Sequence, residues 1–454
     1  MNKNSYTLSA LLAVGMILFS CQDTFLDAKP DKSLLIPTTL EDFEMLLDNE
    51  TEVMNRVPAL GEMSCDDYYT TDEGWTGLST AIERNAYIWA KDVYNGEVVG
   101  DWETLYKQVL YANVVLEGLE KSSSSEKITA KWRNLKGSAL FHRAFAFYHL
   151  AQVFTSPYDK ATASSTLGIP LRLSADVTVK PSRATLEQTY DQIEDDLLKA
   201  RPLLPTVATY KTRPSLSALY AMLARVYLSM EDYERAVAHA DSSLLFANKL
   251  MDFNSLDPAE YRPVQQLNDE VLFHSIVMPY SYDYSSYTIV DSTLYKSFAE
   301  HDLRKQIYFN DNGGGMINFK GSYGNYYLFG GLATDEVYLI AAECRARFGD
   351  TDAAMDRLNT LLEKRWETGT FAAYTASNAD EALKLVLEER RKELIFRGLR
   401  WMDLRRLNKD IRFAKTLTRT INGQTYTLAP NDAKYVMPIP IQEINTSGIM
   451  QNPR

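Results

Sequence analysis

An arginine-rich helix whose apolar stripe runs through its own charges sets the terms for the whole chain. Residues 388–406 read EERRKELIFRGLRWMDLRR, and Leu383, Leu387 and Leu394 recur at helical spacing. Ser377, with Asp380 three residues later, offers a capping box just upstream. The stripe passes through Arg390 or Arg391, so at least one guanidinium is carried toward the interior, where an unpaired charge is expensive. It requires a carboxylate. Glu393 and Asp403 are the nearest candidates, because the planar arginine fork matches a carboxylate with two parallel hydrogen bonds. Arg390, Arg391, Glu393 and Asp403 are therefore expected to form structural ion pairs, which require a large core around them.

Helical periodicity dominates that core. Residues 102–119 and 132–154 read as long amphipathic helices flanking a serine run at 122–125, and a third stretch, 186–200, precedes Pro202 and Pro205. Tyr220, Leu223, Ala224 and Tyr227, followed by Ala236 and Ala240, match the spacing of a tetratricopeptide helix pair. There the small residues let two antiparallel helices approach closely. Pro214 suits the first turn of the leading helix. A second copy begins at Tyr338, with Ala341, Ala342, Arg345 and Ala354. Tyr220 and Tyr338 lie 118 residues apart, so these are pairs set in a larger fold rather than tandem 34-residue repeats. Between 250 and 332 the period disappears into short aromatic runs and a glycine triplet, Gly313 to Gly315, which reads as a turn because no Gly-Lys-Ser/Thr follows it. The expected fold is mainly α: tetratricopeptide-like helix pairs forming an α-α superhelical scaffold, with loop-rich insertions and minor β-hairpins.

The N-terminus reads as an export signal. Residues 1–20 carry Lys3 and then an apolar run too short to span a bilayer. Leu18-Phe19-Ser20-Cys21 resembles the lipobox of bacterial lipoproteins, which makes Cys21 the expected lipidation site and 21–40 a polar, proline-interrupted tether. Two acyl chains at about 0.8 kcal/mol per buried CH₂ hold a protein at a membrane without a transmembrane helix. The body, 41–454, divides on pattern into a helical part at 41–250, a loop-rich, ligand-side insertion at 251–332 and a C-terminal part at 333–454. A formal net charge of −12 argues against nucleic acid as a partner. Cys65 and Cys344 are read as free buried thiols, and the five histidines show no metal-binding spacing.

Two aromatic clusters fall where the helical period is weak: Asp66-Asp67-Tyr68-Tyr69 with Trp75, and Tyr280, Tyr282, Tyr284 and Tyr287 with Tyr323, Asn325, Tyr326 and Tyr327 behind them. With 28 Tyr against 18 Phe, the aromatics are tilted toward those with a polar handle. An aromatic face can receive the C–H face of a sugar ring while Asp, Asn or Arg takes its hydroxyls. The candidate ligand-binding residues are Asp67, Tyr68, Tyr69, Trp75, Tyr282, Tyr284, Tyr287 and Asn325. About half of the tyrosines are expected simply to pack, because alternate spacing is also what one face of a strand looks like. No catalytic residue, cofactor or metal is assigned. Neighbouring carboxylates such as Asp66-Asp67 do not make the facing pair that a glycoside hydrolase, the reading from another class, requires.

The segment Glu389-Arg390-Arg391-Lys392-Glu393-Leu394-Ile395-Phe396-Arg397-Gly398-Leu399-Arg400, followed by Asp403-Leu404-Arg405-Arg406, resembles the C-terminal signature of the SusD/RagB family of nutrient-binding outer-membrane lipoproteins. Arg397 stands where that family usually has an acid. Asp335 to Glu343, Gly349-Asp350, and the tail from Tyr435 to Ile444, read as extended by its prolines, add to the resemblance. It implies a non-enzymatic, surface-exposed binding protein anchored in the outer membrane through Cys21. The implied ligand is an oligosaccharide, or a peptide as in some members. The implied partner is a SusC-like TonB-dependent transporter.

Overall fold

The computed structural model describes residues 37–454 apart from Ser322 and Asn325; Cys21, the export signal and most of the tether lie outside the described residues. The longer helices are α1 (Leu40–Leu47), α2 (Gly100–Glu120), α3 (Ala130–Phe154), α4 (Leu186–Ala200), α5 (Leu216–Ser229), α6 (Tyr233–Phe246), α7 (Thr334–Arg347), α8 (Thr351–Leu362), α9 (Ala379–Glu393) and α10 (Arg400–Leu407). They pack mainly with sequence neighbours: α2 on α3, α3 on α4, α5 on α6 and α7 on α8, with α6 meeting α7. The fold is mainly α, as the periodicity requires, and one continuous apolar core runs from Val57 to Ile449.

The helix pairs stand where the small residues put them. Ala224, Ala236, Ala240 and Ala354 are fully buried, which lets the paired backbones close on each other. Successive pairs are then locked by charge. Arg225 on α5 reaches Glu336 on α7 through two hydrogen bonds of 2.8 and 2.5 Å, both side chains being buried. Arg345 on α7 reaches Asp241 on α6 at 2.7 Å. Pro214 lies just outside α5, whose cap is Ser215, accepting from the Ala218 N–H. The serine run folds as a short capped helix, Ser124–Lys127, with Ser123 and Glu126 in a reciprocal box.

β-Structure among the described residues consists of two-stranded pieces and two isolated bridges, Ile276 with Phe329 and Asp302 with Trp366. β1 (Tyr68–Tyr69) pairs with β2 (Ile289–Val290), and β3 (Phe309–Asp311) forms a hairpin with β4 (Ile317–Phe319). The glycine triplet closes that hairpin with φ of 80°, 62° and 84°, a left-handed run that glycine adopts without penalty. β5 (Leu417–Ile421) and β6 (Gln424–Leu428) form a second hairpin.

Three local readings are corrected. The 388–406 stretch is two helices rather than one, because Phe396 (φ 55°) and Gly398 (φ 70°) turn the chain between α9 and α10. The cap of α9 is Asn378, which accepts from the Glu381 N–H at 3.0 Å, while Ser377 hydrogen-bonds the Glu381 carboxylate instead of pairing with Asp380. The tail turns helical at Ile441–Ser447 directly after Pro440, since a preceding proline is compatible with a helix start.

Candidate functional site

The arginine signature builds the platform under the loops. Arg390 pairs with Asp403 at 2.8 Å, as expected. Burial alone would push the Asp403 pKa up, but Arg390 and Arg406 outweigh it and hold the group below the usual carboxylate range. Glu393 does not pair with Arg390 or Arg391. It accepts from Arg304 at 3.1 Å and Arg365 at 2.7 Å, two arginines outside the stretch, because α9 turns this face toward the 251–332 insertion and the segment that follows α8. Arg391 turns the other way and binds Asp67 at 3.0 Å, beside Asp66, which Arg400 holds at 2.7 Å. Arg397 meets a carboxylate of its own, Asp335 on α7, at 2.9 Å. Phe396, held at positive φ between these pairs, stacks on Phe319 of β4 at 4.9 Å and supplies the floor of a cleft. A bulky residue in that conformation persists only when its surroundings over-determine it.

The cleft, of about 420 Å³, opens among the loops of the insertion. Tyr261, Tyr284 and Tyr326 line it, 70%, 55% and 66% exposed respectively, so three large aromatic faces stand in water around one hollow. Arg262 lies over two of them, 5.2 Å from the Tyr261 ring centre and 5.7 Å from that of Tyr326. Polar residues line it as well. Asn318 ties the wall together by donating to the Ser286 and Thr288 carbonyls at 3.0 and 2.8 Å. The Lys320 ammonium donates to the Pro258 carbonyl at 2.6 Å. Burial raises the Asp283 pKa to about 8 against the pull of the Tyr280 N–H, so its carboxyl is protonated at neutral pH. An open aromatic hollow with a few convergent polar groups is the usual form of a small-ligand site.

The two predicted clusters come together, although over two hundred residues separate them. β1 pairs with β2, Tyr68 stacks on Tyr282 at 5.8 Å, and the Ser79 N–H donates to the Ser281 hydroxyl at 3.0 Å. Their members split by depth. Asp67, Tyr68 and Tyr282 are interior, at 1%, 5% and 1% exposure, and have no surface left for a ligand: Asp67 is bound by Arg391 and the two rings fill the core. Tyr69 and Tyr284 are exposed. Trp75 is half-buried, packs on the core and donates its indole N–H to the Arg84 carbonyl at 2.9 Å. Tyr287 sits close against Gly74, in the same short helix as Trp75. Asn325 lies outside the described residues. Tyr261 and Arg262 escaped the sequence reading; an adjacent Tyr-Arg in a stretch without period was the one available signal.

Two other arrangements bear on the assignment. Glu62, Cys65 and Asp67 bring potential ligand atoms within 4.8 Å of one another in the core. Glu62 accepts from the Gly398 N–H at 2.8 Å, and Arg391 at 3.0 Å from Asp67 already supplies the positive charge a cation would bring. Cys65 and Cys344 are free and buried. A hollow of about 290 Å³ between α1, α3 and the 205–214 segment is lined by Lys131 and Arg213, but both are paired off, Lys131 with Glu44 at 2.9 Å and Arg213 with Glu44 at 2.8 Å.

Fold and cleft together define a scaffold of helix pairs that displays an aromatic hollow on its loops. Residues 24–228 match the family model described as starch-binding associating with outer membrane, and residues 334–454 match that of the SusD family. A SusD-like protein of Formosa agariphila is 24% identical, the match covering 84% of each chain. A SusD superfamily protein of Bacteroides thetaiotaomicron superposes with a TM-score of 0.74 at 22% identity, over 92% of this chain and all of that one. A laminarin-binding SusD-like protein superposes at 0.65 and 18% identity, over 90% and 97%. The chain belongs to the SusD/RagB family.

Proposed function

We propose that this chain is a surface-exposed, lipid-anchored binding protein of the outer membrane that captures an oligosaccharide and hands it to a SusC-like TonB-dependent transporter, without cleaving it. The carrying observation is the trio Tyr261, Tyr284 and Tyr326 standing exposed around one cleft whose floor is fixed by the buried ion-pair platform. Exposed aromatics gathered in a hollow mark binding sites, since monomer surfaces rarely keep them without use. The laminarin-binding relative and the starch-binding family description support a glycan over the peptide bound by other members. The reading also takes Tyr69, Trp75, Tyr287 and Asn325 as further ligand contacts. The helical part at 41–250 presents the transporter-facing surface; Cys21 carries the acyl chains.

Calorimetry of the detergent-solubilised protein against neutral and charged oligosaccharides, with peptides as the competing panel, tests this reading. Each of Tyr284→Ala and Tyr326→Ala is expected to weaken binding about 10-fold, the loss of one aromatic anchor. Unchanged affinity in both moves the site elsewhere, and peptide binding alone replaces the ligand class. Release of shorter products from the titrated glycan would make the chain an enzyme. Metabolic palmitate labelling, abolished by Cys21→Ala, checks the anchor.

A further inference from the structure

The cleft is wired for negative charge. Arg262 makes no ion pair or hydrogen bond among the described residues, and its Nε is buried without a partner. The guanidiniums of the platform behave otherwise: Arg304, Arg365, Arg390 and Arg406 each hold a carboxylate within 3.1 Å. A guanidinium held across two tyrosine faces, with hydrogen-bonding capacity unspent, is set up to receive a carboxylate or sulfate in a forked contact.

Its surroundings do not cancel the charge. Asp283 is the one carboxyl among the described lining residues, and burial keeps it protonated at neutral pH. Lys320 brings a second cation, whose ammonium donates to the Pro258 carbonyl and whose burial is only partly offset by the charge of Asp257. A cationic spot on a chain of net charge −12 runs against the long-range potential of the molecule, which repels anions generally. Attraction is therefore confined to the cleft, where the tyrosine rings can also seat a sugar ring.

We propose that the cleft selects acidic oligosaccharides, with Arg262 binding the carboxylate or sulfate group of one residue while Tyr261, Tyr284 and Tyr326 pack against the sugar faces. The assignment rests on the glycan-binding reading above and narrows its substrate class. Its test compares oligogalacturonides, a sulfated glucan oligosaccharide and neutral laminarin oligosaccharides by calorimetry on the intact protein, together with Arg262→Met and Arg262→Lys. At least one acidic ligand is expected to bind ~10-fold or more tightly than the neutral one, and to weaken steeply between about 50 and 500 mM salt. The two acidic arms tell carboxylate from sulfate. Arg262→Met should remove the acidic preference, lowering acidic affinity far more than neutral affinity, with an unshifted melting temperature reporting an intact fold; Arg262→Lys should restore part of it, since the charge returns without the fork. Equal affinity for neutral and acidic ligands, or an equal loss for both in Arg262→Met, overturns the charge assignment and leaves glycan binding standing. Failure of every oligosaccharide to bind overturns the glycan reading itself.

Discussion

Replacing Glu393 by Gln keeps the size and shape of the side chain and removes one charge at the centre of the buried network. Glu393 bridges two arginines, Arg304 at 3.1 Å and Arg365 at 2.7 Å, and all three side chains are fully buried. Arg304 would keep the carboxylates of Asp302 and Glu389, whereas Arg365 would keep one carboxylate, Glu270, and the Met251 carbonyl. Breaking one side of a buried pair costs about 3–5 kcal/mol, because the surviving charge stays in a medium that cannot solvate it. For a chain of this size the unfolding entropy is about 0.9 kcal/mol/K, so the melting temperature should fall by about 3–6 °C. Differential scanning calorimetry reads the shift. A double-mutant cycle with Arg365→Gln should return a coupling of at least about 1 kcal/mol. A melting point within about 1 °C of the parent, or strict additivity in the cycle, would refute the view that this cluster fixes the platform.

Further outcomes follow from the same interior. Burial, reinforced by the Asp67 charge, raises the Glu62 pKa from its ordinary value of 4.5 to about 8. Between those values the folded state retains a proton that the unfolded chain has lost, so raising the pH weakens the fold, by about 1.4 kcal/mol per pH unit for this group. The contribution is fully present below about 4.5 and gone above about 8; melting temperatures measured from pH 5 to 8 should slope downward, and less so in Glu62→Gln. Glu343 works in the opposite sense. Burial would raise it, but Arg406 and Arg347 bring it to about 2, so its stabilisation is lost as the pH falls from about 4.5 toward 2, and Glu343→Gln should be less acid-sensitive there. A Cβ added at Gly331 would lie 2.1 Å from the Phe273 carbonyl oxygen, backbone that cannot step aside. Gly331→Ala should cost about 1–3 kcal/mol in denaturant titration, and a cost near zero would mean the strand at Val271–Phe273 moves freely.

Most helices were legible in the sequence because they carry their own period; Ala130–Phe154 and Thr334–Arg347 are instead buried on nearly every side, so the amphipathic face expected at 132–154 is absent. Leu186–Ala200 falls where the stripe and the following prolines place it, and Ala236 and Ala240 mark the close approach of α5 and α6. Charge partners were legible only when near: Arg390 and Asp403 lie 13 residues apart, but Arg304 is 89 positions from Glu393 and Asp67 is 324 from Arg391, distances no local pattern encodes. The tyrosines at 280, 282 and 284 looked like one strand face. They occupy a tight turn at Ser281–Tyr284 instead, whose roughly three-residue period sends Tyr282 inward and Tyr284 outward. The cleft was half visible for the same reason: its aromatics could be counted, but which of them reach water depends on turns that leave no periodic trace.

Short strand pairs stitch the insertion to segments on either side of it, at Arg56–Val57, Tyr68–Tyr69 and Leu332–Ala333, in seams that share no sheet with one another. A loop can therefore be lengthened, recoloured or exchanged between its own seams without unzipping its neighbours. The β3–β4 hairpin, closed by three left-handed glycines with open space around each, is the natural cassette for such grafting, and a library built there would sample new tastes on an unchanged chassis.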